Sequence, residues 1–489
     1  MSLAQRFWLI LSAVVLATAL ALALLGDRLV PGAPGSGPTG GDRLAAAAGV
    51  GDPYLPGAGG AGYDVQHYDV RINAVSLGDE IRGTTTVTAL ARQDLDEFHL
   101  DLYLSVRSVM VNGAPASYAQ QADDLAVTAS RPNPSAPAIA AGSTFTVEVV
   151  YEGEPGATPR LDTPAYYRWN DEFVIAGEPV AASLWYPSND HPQDPATMDF
   201  TVTVPRGREA ICAGRLLRHG ADPDDPDADR WEWRVDAPTV TYATFLAVGD
   251  YRVEQGTADG RPFVYAVSTR LDAAVQTKAL RWLRGTPAAV RKLEKYLGPY
   301  PFSGVGGFVP VMGMSWAGLE TAMIPVYHPR QIGGEMLLNH ELAHMWFGDT
   351  VTLTEWNDLF NNEALASYAE WLTNSGSTPA KNFDGVYRGM PDTADFWGPP
   401  LSDPGLAKLF VHVYDRGPAA LHALRTRMGD DAFFAFLRRW AQQSGPRSLE
   451  DFRRAADDAT PEDLTGFFAE WLDQNDRPEP TAANGVPPR

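Results

Sequence analysis

Two kinds of hydrophobic spacing divide the chain. Between Tyr63 and about Arg252, apolar and polar positions alternate. Phe98, Leu100, Leu102 and Leu104 face one way and His99, Asp101 and Tyr103 the other, and Phe145, Val147 and Val149 repeat the pattern. A period of two, with β-branched runs such as Thr84 to Val87, predicts strands, and clusters such as VNGAP and DPDDPDAD supply the turns between them. Further on the spacing becomes helical. It predicts a helix over Leu271–Leu297 that ends at GPYPF, and others over Leu359–Leu372, Ala419–Met428, Asp431–Gln442 and Pro461–Leu472. The fold class this implies is α+β and multidomain: a β-rich N-terminal domain over 61–255, then a mainly helical domain over 256–475. No internal repeat is visible.

Three stretches stand outside this pattern. FWLILSAVVLATALALALL, Phe7 to Leu25, is nineteen residues without a charge. As a helix it would span roughly 28 Å, close to a bilayer core. Ala-x-Ala steps at Ala19–Ala21 and Ala21–Ala23 also offer cleavage points, so residues 1–25 read as a signal anchor or as a cleaved signal peptide. Either way the body of the protein is expected outside the cytoplasm, anchored to a membrane or secreted. Residues 26–60 are Gly-, Pro- and Ala-rich and read as a flexible linker. Residues 476–489, with PEPTAANGVPPR, read as a disordered tail.

Composition narrows the partners. The chain has 489 residues, enough for two or three domains, with 45% hydrophobic and 10% aromatic content. A net charge of -22 excludes nucleic acid, whose phosphates need a basic surface. It suits cationic groups such as peptide α-amines. Cys212 is the single cysteine, so no intramolecular disulfide can form, and the thiol is expected to pack in a core.

The candidate chemistry lies in MLLNHELAHMWFGD, Met336 to Asp349. On a helix, His340 and His344 sit one above the other and can direct both imidazoles at one ion. Glu341 is turned to the side, where it can take a proton from a water on the ion, the H-E-x-x-H arrangement. A buried helix carrying polar residues is the plain alternative. With nine histidines in the chain, such a match is uncommon by chance. Two histidines need a third ligand, and Glu363 lies on the next predicted helix in WNDLFNNEALASYAEWL. Two imidazoles and one carboxylate also suit iron(II), but the flanking glutamate favours one zinc ion.

From Tyr63 to about Leu472 the chain resembles the gluzincin aminopeptidases, the aminopeptidase-N-type zinc metallopeptidases. GYDVQHYDVRI resembles the opening strand of their β-domain, and SLWYPSNDHPQDPATMDFTVTVP and LGPYPF resemble later segments. HELAHMWFGD with NNEALASYAEWL resembles their zinc motif. The resemblance implies a saddle-like β-sandwich followed by a thermolysin-like catalytic domain, with Zn2+ held by His340, His344 and Glu363 and with Glu341 as general base. WAGLET resembles the family's exopeptidase motif through Gly318 and Glu320, and implies that Glu320 binds the free α-amine of a peptide substrate. VYDRGPAAL implies that Tyr414 donates to the developing oxyanion. Departures from the family pattern are Leu319, Thr321, Met345, Asp349 and Ala364, and the family's amine-binding Gln is expected at Ala176. The chain ends soon after the catalytic region, which implies a short form without the family's C-terminal helical domain and with a less enclosed site. The function implied is zinc-dependent removal of N-terminal residues from peptides. A non-catalytic peptide-binding or scaffold protein of the same fold, or a zinc epoxide hydrolase or endopeptidase, would share the zinc motif.

Overall fold

The computed structural model describes residues 46–74, 80–131, 133–157 and 164–486. The apolar run Phe7–Leu25 and the first part of the linker, 26–45, lie outside them. Among the described residues no helix is long and apolar enough to cross a membrane.

The alternating segments form an eight-stranded sheet. Its order is Arg215–Ala221, Ala228–Thr239, Ala196–Pro205, Tyr63–Asn73, Ile81–Ala91, Thr144–Gly153, Ser105–Val111 and Ala114–Pro115. Alternation decides the faces, with Phe145, Val147, Val149 and Tyr151 all buried along one strand. Burying each such side chain is worth about 1.5–3 kcal/mol, so a one-residue slip of register is strongly disfavoured. The pairing of Tyr63–Asn73 with Ile81–Ala91 does shift once, between Val65 and His67. That bulge is why Val65 and Tyr68 are both buried while His67 is only half-buried.

Two smaller sheets pack against the large one. The three-stranded sheet of Glu97–Asp101, Asp124–Thr128 and Ser117–Gln121 sets Phe98 edge-on to Tyr63 and Phe145, with ring centroids 5.8 and 5.3 Å apart. The four-stranded sheet runs Glu209–Cys212, Leu246–Gly249, Glu172–Ile175 and Tyr166–Trp169. It meets the large sheet where the Trp233 indole N–H donates to the Ala210 carbonyl at 3.2 Å. Cys212 is fully buried here, and burial pushes its thiol pKa well up, consistent with an inert core residue.

The second half begins with the strand Tyr251–Ala258, so a boundary at 255/256 would cut an element. This strand pairs with Arg261–Ser268 at the edge of a five-stranded sheet that continues through Val305–Val309, Val326–Tyr327 and Gly318–Leu319. Arg261–Ser268 and Val305–Val309 run parallel, which requires a crossover. Two helices provide it, α1 (Ala273–Leu283) and α2 (Thr286–Leu297), separated at Gly285 where one long helix was expected. The sheet escaped the sequence reading because strands such as Val305–Val309 are buried at every position and show no alternation.

Eight more helices follow: α3 (Glu335–Ala343), α4 (Glu363–Thr373), α5 (Pro379–Tyr387), α6 (Ala394–Trp397), α7 (Val413–Met428), α8 (Asp430–Ala441), α9 (Leu449–Asp457) and α10 (Thr465–Phe468). The expected helix Leu359–Leu372 is a 3-10 turn, Trp356–Asn361, followed by α4. Asn362 and Glu363 therefore stand at a junction.

Two expectations need correction. Residues 46–60 are not a free linker: Ala46, Leu55, Ala58 and Asp52 are buried. Asp52 accepts the backbone N–H of Leu55 and of Trp356, each at 2.8 Å, and faces His191 Nε2 at 3.0 Å. Composition shows little apolar surface here, but one buried carboxylate with several partners anchors the segment across both halves. The tail is likewise packed as far as 486. Val486 is fully buried, and the Trp471 indole N–H donates to the Asn484 carbonyl at 3.0 Å.

Candidate active site

Helix α3 ends at the site, with His344 as its C-terminal cap one turn beyond His340. The two Nε2 atoms are 3.1 Å apart, and Glu363 Oε2 lies 3.4 Å from each. That oxygen is buried and has no hydrogen-bond partner. An ion bound tetrahedrally by ligands at about 2.0–2.2 Å sets its ligand atoms about 3.3–3.6 Å apart. The triangle therefore has the size of a zinc ligand set, and its two imidazoles and one carboxylate have the chemistry of one.

The groups behind the ligands orient them. His344 Nδ1 faces the Phe347 carbonyl at 3.0 Å and Asn362 Oδ1 at 2.6 Å. Nδ1 must carry the hydrogen, so Nε2 is the nitrogen that faces the triangle and offers its lone pair whenever the ring is neutral. His340 Nδ1 is 3.5 Å from Glu370 Oε2. Glu363 arrives because the 3-10 turn before it is held by a reciprocal cap between Glu355 and Asp358. Gly348, at φ +110, turns the chain back from α3, and a side chain there would begin 2.5 Å from Asn362 Oδ1.

Burial alone would raise the Glu363 carboxyl, yet His344 and His340 hold it well below the usual carboxylate range. Burial would equally depress His344, but Glu320 and Glu363 raise it to about 9. The site is thus a basin for positive charge.

Glu341 is buried beside the triangle. Burial pushes its carboxyl to about 8, against the pull of His340 and His344. Gly318 passes directly over it, and a Cβ at that position would lie 2.1 Å from Glu341 Oε1. Only glycine lets the edge strand approach so closely. Tyr414, near the start of α7, donates its hydroxyl to Glu363 Oε1 at 2.7 Å. Burial and the Glu363 charge push the phenol well up, so it remains a donor.

Glu320 follows the Gly318–Leu319 strand and is buried, accepting the Tyr242 hydroxyl at 3.2 Å and lying 4.0 Å from His344 Nδ1. The seven residues singled out from the sequence therefore gather around one point. The sequence reading missed Glu178, which has a carboxylate oxygen within 4.8 Å of those of Glu320 and Glu363. Its Oε1 is buried without a partner. Burial, then Glu320, Glu363 and Glu341, push its carboxyl well up. Ala176, the position expected to replace an amine-binding Gln, is buried two residues before it with its N–H on the Ala165 carbonyl. The available signal was a lone charge within the apolar run FVIAGEPVAA. Asn362 and Tyr242 were missed as well.

The departures are also accommodated. Thr321 Oγ1 donates to the Ile324 carbonyl at 2.6 Å, and the Met345 sulfur accepts the Met323 N–H at 3.3 Å. Asp349 is fully buried with neither oxygen hydrogen-bonded. Burial, Glu320 and Glu341 raise its pKa well above the usual range, which favours the neutral acid.

The site thus combines a candidate metal-ligand triangle with a buried carboxylate beside it. A family model for the peptidase family M1 domain matches residues 331–395. Aminopeptidase N of Streptomyces lividans is 27% identical over 479 residues, covering 86% of this chain and 52% of that protein. Human endoplasmic reticulum aminopeptidase 1 is 25% identical over 434 residues, covering 79% and 44%. The chain spans about half the length of these curated relatives. Among solved structures, the M1 zinc metallopeptidase from Deinococcus radiodurans has a TM-score of 0.76 at 28% identity, covering 88% of this chain and 99% of that one. A mutant of it bound to a Tyr-Ser-Ala substrate gives 0.77 at 27% identity, covering 88% and 100%. Over most of its length the chain is similar to aminopeptidases and M1 zinc metallopeptidases.

Proposed function

We propose that this protein is a zinc-dependent aminopeptidase that removes the N-terminal residue of peptides. The observation that carries the reading is the closeness of Glu320 and Glu178 to Glu363, within 4.8 Å between ligand-type atoms. An α-ammonium held by those two carboxylates puts the first peptide bond of the substrate next to the metal triangle.

His340, His344 and Glu363 would hold the zinc, which when bound supplies Lewis acidity toward a carbonyl and a water. Glu341 accepts the proton of the attacking water and delivers it to the leaving nitrogen as the C–N bond breaks. Tyr414 turns its hydroxyl from Glu363 to the developing oxyanion. Glu320 and Glu178 hold the ammonium and so restrict cleavage to the N-terminus. Structural neighbours bound to Tyr-Ser-Ala, L-tryptophan and L-arginine support a free amino acid end as the recognised element.

Incubating the zinc-loaded protein with Tyr-Ser-Ala tests the reading. Release of tyrosine and Ser-Ala is expected, and release of alanine with Tyr-Ser would contradict it. The apolar run Phe7–Leu25 supports a location outside the cytoplasm, anchored or secreted. Recovery of the full chain in the cytoplasmic fraction would contradict that.

A further inference from the structure

We infer that Tyr242, from the β-rich half, is a positioning residue that joins Glu320 to the ligand His344 through Asn362, holding amine recognition and metal ligation in one register. The inference rests on the aminopeptidase reading and extends it to residues away from the reacting atoms.

The chain of hydrogen bonds has a fixed polarity. His344 Nδ1 lies 3.0 Å from the Phe347 carbonyl, which can only accept, so Nδ1 donates. Asn362 must then present its oxygen to His344, at 2.6 Å. Its amide nitrogen is left to donate to the Tyr242 hydroxyl oxygen at 2.9 Å. With that oxygen accepting, the phenol hydrogen points to Glu320 Oε1 at 3.2 Å. Every member is buried, so no solvent competes for these bonds. One hydroxyl is both the acceptor that fixes the Asn362 orientation and the donor that fixes Glu320.

The loop carrying Tyr242 is built to hold it still. Thr241 Oγ1 donates to Asp190 Oδ1 at 2.8 Å, and Thr244 Oγ1 donates to the Thr241 carbonyl at 2.7 Å. The Tyr242 ring packs on Trp356, centroids 5.6 Å apart, in the turn that leads to Asn362. The Ala243 carbonyl accepts the N–H of Ala322 at 2.8 Å. The same loop thus grips the Glu320 segment by its backbone and Glu320 itself by its side chain. Sequence separations of 120 and 78 residues span the two outer links of Tyr242.

Tyr242→Phe in the full chain tests the assignment, since it keeps the ring and removes only the hydroxyl. Zinc affinity, read by competition with a chromophoric chelator, is expected to fall about tenfold. Preference of the zinc-loaded protein for L-tryptophan over N-acetyl-L-tryptophan, read by calorimetry, is expected to fall about tenfold as well. A ring that merely packs would leave both readouts at the wild-type level. Either readout unchanged in Tyr242→Phe, with wild type discriminating, overturns the relay alone. If wild type itself binds both compounds equally, the aminopeptidase reading fails, and the amine end of the relay with it. Should Tyr242→Phe fold poorly, Asn362→Ala cuts the same chain at its other link and must lower both readouts together.

Discussion

On one side of the site, Glu363 faces two imidazoles and a phenol. On the other side, Glu320 and Glu178 face each other, and no lysine or arginine among the described residues forms an ion pair with either. Both sides are buried, so both bear the cost of holding charge away from water. The metal side meets that cost with groups of its own, and its carboxylate is held well below the usual range. On the other side Glu320 has the Tyr242 hydroxyl at 3.2 Å and the His344 imidazole at 4.0 Å, whereas Glu178 Oε1 is buried without a partner, and burial with like charge drives that carboxyl well above the usual range. A ligand-set carboxylate is thus settled before substrate arrives, while Glu178 is relieved only by a cation brought from outside. In the proposed function, the substrate's α-ammonium is that cation. The metal side should therefore govern whether chemistry occurs, and the amine side which peptides reach it.

The largest effect is expected at the base. Glu341→Gln should lower kcat about 10³-fold while the protein keeps its zinc, as turnover and metal analysis would show. On the amine side, Glu320→Ala should lower kcat/KM for free peptides about 100-fold while leaving N-acetylated peptides unaffected. Equal losses on both substrates would erase the distinction between the two sides. Gly318→Ala introduces a Cβ 2.1 Å from Glu341 Oε1 and should cost about tenfold in kcat by displacing the base, with amine binding retained. The smallest effect concerns the contact that ties the two halves together. Asp52→Asn should destabilise by about 2 kcal/mol at neutral pH, a shift of a few degrees in Tm. Although burial opposes it, His191 and the backbone amides of Trp356, Leu55 and Tyr54 lower the folded pKa of Asp52 below 3.8. Its stabilising contribution is therefore complete above pH 3.8 and lost as pH falls through the folded value. Melting curves of the two proteins should converge in acid.

These contrasts follow how the two sides are written in the chain. His340, Glu341 and His344 lie within about one helical turn and Glu363 on the next α-helix, so their motif is legible from local spacing, while the 3-10 turn Trp356–Asn361 delivers Glu363. Glu320 and Tyr414 were reached by resemblance of short motifs. Glu178 and Tyr242 come from loops of the β-rich half, where no period marks them, and only the packing of the halves brings them to the site. The same limit explains residues 46–60. Their composition reads as a linker, yet Asp52 finds His191 at a separation of 139 residues and Trp356 at 304. Alternation identified the exposed-faced strands of the large sheet, whereas the fully buried strand Val305–Val309 carries no such signature.

The measurement that reaches the central claim most directly compares hydrolysis of one peptide with a free and with an N-acetylated terminus, by the zinc-loaded protein and after chelation. Cleavage of the free peptide alone, at its first bond, abolished by chelator and restored by zinc, is the predicted result. Equal cleavage of both peptides, or cleavage indifferent to the chelator, would contradict it.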